Sequence, residues 1–175
     1  MLILFYPVSS RYYSSETIVG LIFGPLVMLG SLFALTKSIN YQIFLMSIVI
    51  AFSTVDLLHT HNIMDFEFDI KNNKNTLCVL LKTKENMLKA LKAFVIVPYV
   101  IVVLGVFSQD FNPKTLYVFL TLPIATKLLE SMKDYINIKD VKFEPRIYWG
   151  MFENWDKIKQ EKIDFFMFRF YLARN

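Results

Sequence analysis

An all-α, multi-pass transmembrane helical bundle is the fold class this sequence predicts. Three observations carry it: apolar residues fall into charge-free blocks of membrane-spanning length, they are unusually abundant, and basic residues crowd onto alternate connections. Of 175 residues, 55% are hydrophobic and 16% aromatic, and the mean hydropathy is +0.43. That is too apolar, and too blocked, for a soluble domain of this length.

The elements follow in chain order. Met1 to Ser10 has no basic lead and too short an apolar run for a cleaved signal peptide, so insertion falls to the internal segments. Twenty uncharged residues separate Glu16 from Lys37, and eighteen separate Lys37 from Asp56; each is close to the roughly 20 residues that cross about 30 Å of hydrocarbon. A third span, Ala93 to Gln109, holds seventeen uncharged residues and Pro98, which a membrane helix tolerates when neighbours satisfy the freed carbonyl. The fourth is weaker. Its charge-free core, Thr115 to Thr126, has only twelve residues, and a crossing from Phe111 to Leu129 requires Lys114 and Lys127 to snorkel outward. A fifth apolar segment, from Ile163 to Asn175, is too short to cross.

Basic residues orient these spans. One (Arg11) precedes Glu16, six lysines lie between Asp56 and Lys92, and eight basic residues lie between Lys127 and Lys162, against Lys37 and Lys114 on the opposite loops. The positive-inside rule places the two long connections in the cytoplasm. The net charge of +4 is then topology and attraction to anionic headgroups; no basic patch with stacking aromatics argues for nucleic acid.

The chemistry-bearing stretch is His61-Asn62-Ile63-Met64-Asp65-Phe66-Glu67-Phe68-Asp69-Ile70-Lys71-Asn72-Asn73-Lys74, at the end of the second apolar block. Asp65 and Asp69 are four apart, so on one helix they share a face and can share a divalent cation, with Asn62 a turn before and Asn73 a turn after. Lys71 and Lys74 add positive charge within about a turn. A hard cation such as Mg²⁺ is held by one or two carboxylates and the substrate's phosphate oxygens, and the lysines neutralise what charge remains, which suits a diphosphate. Glu67, two residues from each Asp, points elsewhere. The plainer alternative is a solvated cap on a membrane helix.

At these residues the sequence resembles the UbiA superfamily of intramembrane prenyltransferases. Asn62-x-x-Asp65-x-x-x-Asp69, followed by Lys74-Asn75-Thr76-Leu77, is similar to that family's second aspartate-rich motif, in particular in the 1,4-dihydroxy-2-naphthoate polyprenyltransferase branch. The stretch from Glu16 to Gly30 (ETIVGLIFGPLVMLG) resembles the helix that enters the second half of that branch. Together the two matches cover about residues 5 to 92; the hairpin beyond agrees in layout only.

The resemblance implies a nine-helix bundle in which two acidic motifs face each other over a lipid-accessible cavity. It implies a Mg²⁺-dependent transfer of a prenyl group from a polyprenyl diphosphate to an acceptor, commonly an aromatic quinone precursor as in menaquinone biosynthesis. Asp65 and Asp69 take the metal and catalytic role, and Asn62, Lys71, Lys74 and Asn73 the diphosphate-binding role. The family's first motif, N-D-x-x-D-x-x-x-D, is not among the 175 residues. Residues 1–175 are therefore expected to form the second half of such a domain, inactive alone, seeking the missing N-terminal half or another copy. The alternative is a non-catalytic membrane remnant or partner subunit. Met64 stands where the naphthoate branch commonly has Arg.

Remaining features have ordinary explanations. His59 and His61, two apart, do not share a helix face and are expected to be structural. Cys78, the single cysteine, is expected to be a small packing residue with no disulfide, metal or thiol chemistry. Tyr148, Trp149, Phe152 and Trp155 are expected to form an interfacial aromatic belt. Arg169 lies in an apolar segment, where an ionisable residue is a functional candidate, although Asp164 and the nearby interface offer simpler roles. Neither a Gly-rich phosphate loop nor a catalytic Ser/Cys–His pairing is evident.

Overall fold

The computed structural model describes residues 15–137 and Gln160. These are helical, with no strand among the described residues. Helices α1 (Ser15–Leu21) and α2 (Val27–Thr36) are joined by a π-helical turn at Ile22–Leu26, followed by α3 (Tyr41–Met64), α4 (Phe66–Lys71), α5 (Leu77–Leu81) and α6 (Lys84–Phe107). A 3₁₀ segment, Pro113–Thr121, precedes α7 (Leu122–Asn137). The chain divides into two compact units after Leu120.

In the first unit, three helical segments are long and apolar enough to cross a membrane: Ser15–Thr36, Tyr41–Met64 and Lys84–Phe107. The first is continuous through its π turn, which contains Pro25; proline has no N–H to give, and the wider turn absorbs the missing bond. That turn lies against α3 at very short range. A Cβ at Gly24 would stand 2.5 Å from the Ser47 carbonyl oxygen and 2.6 Å from Ala51 Cβ, and one at Gly20 would stand 2.8 Å from Val55 Cγ2. Gly20 on α1 and Gly24 on the π turn thus let the backbone of this span approach α3 closely, as small residues do in membrane helix pairs generally.

Helices α3 and α6 form the other packed pair. On α6 the buried residues Met87, Leu91, Val95, Pro98 and Val102 recur at helical spacing, and Phe94 meets Phe52 and His59 with ring centroids at 6.3 and 5.2 Å. Pro98 sits inside the uninterrupted helix, as expected of a membrane span. Asn40 caps α3 by accepting from the Gln42 N–H at 2.7 Å, and Thr83 caps α6 by accepting from the Asn86 N–H at 3.2 Å.

Two expectations change. The connection read as Asp56 to Lys92 shrinks to residues 65–83, because α3 runs on to Met64 and α6 begins at Lys84. The crossing expected from Phe111 to Leu129 is not one α-helix: a 3₁₀ segment fills Pro113–Thr121 and α7 starts at Leu122. Pro123, in the first turn of α7, explains the break, since that position needs no N–H donor whereas a helix interior does. In the second unit, α7 carries an ion pair between Lys127 and Glu130 on its surface. The residues expected to form an aromatic belt (Tyr148, Trp149, Phe152 and Trp155), Asp164 and Arg169 lie outside the described residues.

Candidate functional site

Most of the buried polar residues of the first unit gather where α3 ends. At Asp65 the backbone leaves α3 with φ −90° and ψ 4°, and α4 begins at once. The kink keeps the helical rise: the Asp65 N–H donates to the His61 carbonyl at 3.0 Å, and the Asp69 N–H to the Asp65 carbonyl at 2.8 Å. Asp65 and Asp69 therefore stay one turn apart, as the spacing predicts.

The single face that also includes Asn62 and Asn73 does not form. Asn73 lies beyond α4 in the left-handed region, φ 53°, where the chain reverses and its N–H donates to Ile70 at 3.2 Å. Asparagine tolerates that conformation better than most residues, and it ends the helix here. Asn62, on the last turn of α3, is buried and committed to a different partner.

The reversal at Asn73 returns Lys74 to Asp69. The Lys74 N–H donates to the Asp69 carbonyl at 2.9 Å, and Lys74 Nζ stands 3.2 Å from Asp69 Oδ1. Asp69 is only 2% exposed while the Lys74 side chain is 53% exposed, so the carboxylate is built in and the cation reaches it from the surface. The Lys74 ammonium also lies 5.3 Å from the centroid of the Phe68 ring. Asp65 is partly buried; Glu67, Lys71 and Asn73 are exposed. For Glu67 this is the solvated position expected.

A buried carboxylate that sequence reasoning missed stands beside this turn. Glu16, 3% exposed, accepts from Asn62 Nδ2 at 2.5 Å and from the Leu77 N–H at 3.2 Å, both on Oε1, and from the Ser15 hydroxyl on Oε2 at 2.7 Å. It ties α1 to the end of α3 and to the start of α5. Pairing over 46 and 61 residues leaves no local pattern; the one available signal was an acid at the first turn of a long apolar run.

Beneath it lies a second contact between residues read separately. His59 is fully buried, with Nε2 3.1 Å from the Met87 carbonyl and Nδ1 3.7 Å from Cys78 Sγ. A carbonyl can only accept, so Nε2 carries the proton and Nδ1 accepts from the thiol. Burial pushes the Cys78 thiol well above its usual range, and the Glu16 and Asp69 carboxylates push it the same way. The pair is thus a neutral packing contact and no activated nucleophile. Asp56, read as the charge closing the second span, instead lies inside α3 with Oδ1 buried and without a hydrogen bond among the described residues.

No group of three or more His, Cys, Asp and Glu among the described residues is arranged to hold a metal ion. The site provides two carboxylates a turn apart, an adjoining lysine and a polar anchor behind them. A model of the UbiA prenyltransferase family matches residues 1–142, a stretch that takes in the three long helices, the Glu16 cluster and the Asp65–Lys74 turn. No curated protein and no solved structure matches the chain.

Proposed function

The chain belongs to the UbiA prenyltransferase family, and from that membership we propose that its Asp65–Lys74 turn binds the diphosphate of a polyprenyl donor through Mg²⁺, for transfer of the prenyl group to an aromatic quinone precursor. The observation that carries the reading is the buried Asp69 carboxylate, one helical turn from Asp65 and met by Lys74 at 3.2 Å, at the end of a membrane-length helix. An apolar polyprenyl tail and a charged headgroup both find their own solvent there.

The residues present fit the ion. Asp65 and Asp69 offer hard carboxylate oxygens, and Asp69 Oδ1, though facing Lys74, makes no hydrogen bond among the described residues. Mg²⁺ bound through one or two carboxylates takes its remaining ligands from phosphate oxygens and water. Bound there, it would supply charge neutralisation to the leaving diphosphate. Lys74, half exposed, can exchange its contact with Asp69 for a phosphate oxygen; Lys71, exposed at the end of α4, and Asn73, exposed just beyond it, add a cation and an amide close by in the chain. The apolar surfaces of the three long helices hold the tail and meet lipid. The positive-inside count supports a cytoplasmic position for the turn.

Two carboxylates approach a diphosphate from one side only. In this reading an opposing N-D-x-x-D-x-x-x-D motif comes from another segment or another copy, and residues 1–175 alone do not catalyse transfer. A second reading, a non-catalytic partner subunit, draws on the absence of that motif from the sequence.

The test is prenyl transfer by the chain co-expressed with a polypeptide carrying the first motif. Asp65→Asn and Asp69→Asn are expected to abolish Mg²⁺-dependent transfer, because an amide keeps the shape and loses the charge, while Glu67→Gln is tolerated. Unchanged transfer by both Asn variants would sink the metal assignment. Robust transfer by the chain alone would overturn the one-sided site.

A further inference from the structure

We propose that Glu16 is a positioning residue for the metal–diphosphate site, acting through the side chain of Asn62 and the backbone of Leu77. This rests on the functional reading above and adds a residue to it.

Three donors converge on the carboxylate: Asn62 Nδ2 at 2.5 Å, the Leu77 N–H at 3.2 Å and the Ser15 hydroxyl at 2.7 Å. Glu16, Asn62 and Ser15 are all buried, at 3%, 9% and 6% exposure, so water does not compete for these bonds. A carboxylate accepts and does not donate, so it fixes the Asn62 amide with the NH₂ toward Glu16 and the carbonyl oxygen turned away. Of the Asn62 amide only the carbonyl oxygen is then left to face away from Glu16, an acceptor suited to a cation and not a donor suited to phosphate.

The second bond holds the other end of the turn. Leu77 opens α5, and its N–H is one of the donors that a helix start leaves without an internal partner. Glu16 accepts from it, which pins the exit of the 65–76 segment to α1 while α3 pins its entry at Asp65. The spacing of Asp65, Asp69 and Lys74 is thus held between two fixed ends. Groups that orient metal ligands from behind change metal affinity roughly 10–100-fold when removed.

The experiment uses the full chain in detergent or nanodiscs, with Mn²⁺ as the spectroscopic probe and inorganic pyrophosphate as the anion. Mn²⁺ affinity in the presence of pyrophosphate is measured by electron paramagnetic resonance for the wild type, Glu16→Gln, Glu16→Ala, Asn62→Ala and the double variant Glu16→Ala/Asn62→Ala. Amide exchange at Leu77 is followed in each. Glu16→Ala is expected to weaken Mn²⁺ binding about tenfold or more and to raise exchange at Leu77. Glu16→Gln, which keeps an acceptor oxygen, recovers most of the protection at Leu77. The loss in the double variant should fall short of the sum of the two single losses, because Glu16 acts in part through that amide.

Fully additive losses in the double variant, or unchanged Mn²⁺ affinity in Glu16→Ala with Leu77 deprotected, would overturn the proposal and leave Glu16 a purely structural anchor. Absence of Mn²⁺ binding by the wild type would overturn the functional reading itself; Glu16 would then have no metal site to position. Should Glu16→Ala fail to fold, Asn62→Ala decides: Mn²⁺ affinity equal to that of the wild type would overturn the proposal, because the amide through which Glu16 acts would then have no bearing on the site.

Discussion

Lys74 Nζ lies 3.2 Å from Asp69 Oδ1, joining a half-exposed cation to a carboxylate that is 2% exposed. Removing the lysine leaves the buried charge without its counter-ion, which is costlier than removing both. Because Lys74 is largely solvated, the cost is discounted from the fully buried case to about 1–2 kcal/mol. Lys74→Met is therefore expected to lower the thermal midpoint in detergent, and Lys74→Met/Asp69→Asn to restore part of it. Strictly additive losses would show that the two side chains are not coupled.

Cys78 sets a pH limit on the same region. Its thiol is pushed above the ordinary value of 9.0 by burial and by the Glu16 and Asp69 carboxylates, so at alkaline pH the unfolded chain loses the thiol proton that the folded chain keeps. The folded state then binds more protons, and stability falls as pH rises. The contribution is complete below about pH 9 and drains away above it. Thermal midpoints of the wild type should drop from pH 8 to pH 10 by more than those of Cys78→Ser. An equal drop in both would assign the alkaline loss to other groups. Maleimide should also react with Cys78 only after denaturation.

The spans were legible because hydropathy is a local count. Charge-free blocks around Gly24, Val49 and Val102 needed no knowledge of partners, and Pro98 was accommodated as the lipid setting allows. Phe111 to Leu129 misled the same count: length was found without regard to Pro113 and Pro123, which favour helix starts over helix interiors. In the site, the four-residue spacing of Asp65 and Asp69 survived because the kink at Asp65 preserves the turn. Asn73 was misplaced because the helix ends at Lys71, two residues earlier, with Asn72 as its cap. Glu16 and the His59–Cys78 contact were illegible for another reason: each joins residues on different helices, and only packing brings them together.

Packing also sorts the glycines of the first span. At Gly24 an added Cβ meets backbone and Cβ atoms of α3 at 2.5 and 2.6 Å, whereas at Gly30 nothing lies within 4 Å. Gly24→Ala must push the π turn away from α3 at a cost of about 1–3 kcal/mol. Gly30→Ala should be neutral or stabilising, since alanine favours the helix by about 1 kcal/mol. Thermal unfolding of the two variants checks this, and equal midpoints would mean that the close approach of Gly24 to Ser47 and Ala51 is not maintained.

The orientation of the site in the membrane has a direct test, and the shortened connection does not weaken its basis. Lys71, Lys74 and Lys82 lie within residues 65–83, and Lys84, Lys89 and Lys92 fall in the first turns of α6, all inside the 15–20 residues over which the positive-inside bias is counted. Across the span, residues 37–40 carry only Lys37. Cys78 cannot report the side, because it is fully buried. Exposed positions on the two connections can: Glu67 lies on one, and Ile39, 67% exposed, on the other. In a Cys78→Ser background, a membrane-impermeant maleimide applied to intact cells should label Ile39→Cys and spare Glu67→Cys until the cells are permeabilised. Labelling of Glu67→Cys alone from outside would invert the topology and place the Asp65–Lys74 turn away from any cytoplasmic pool of prenyl diphosphate.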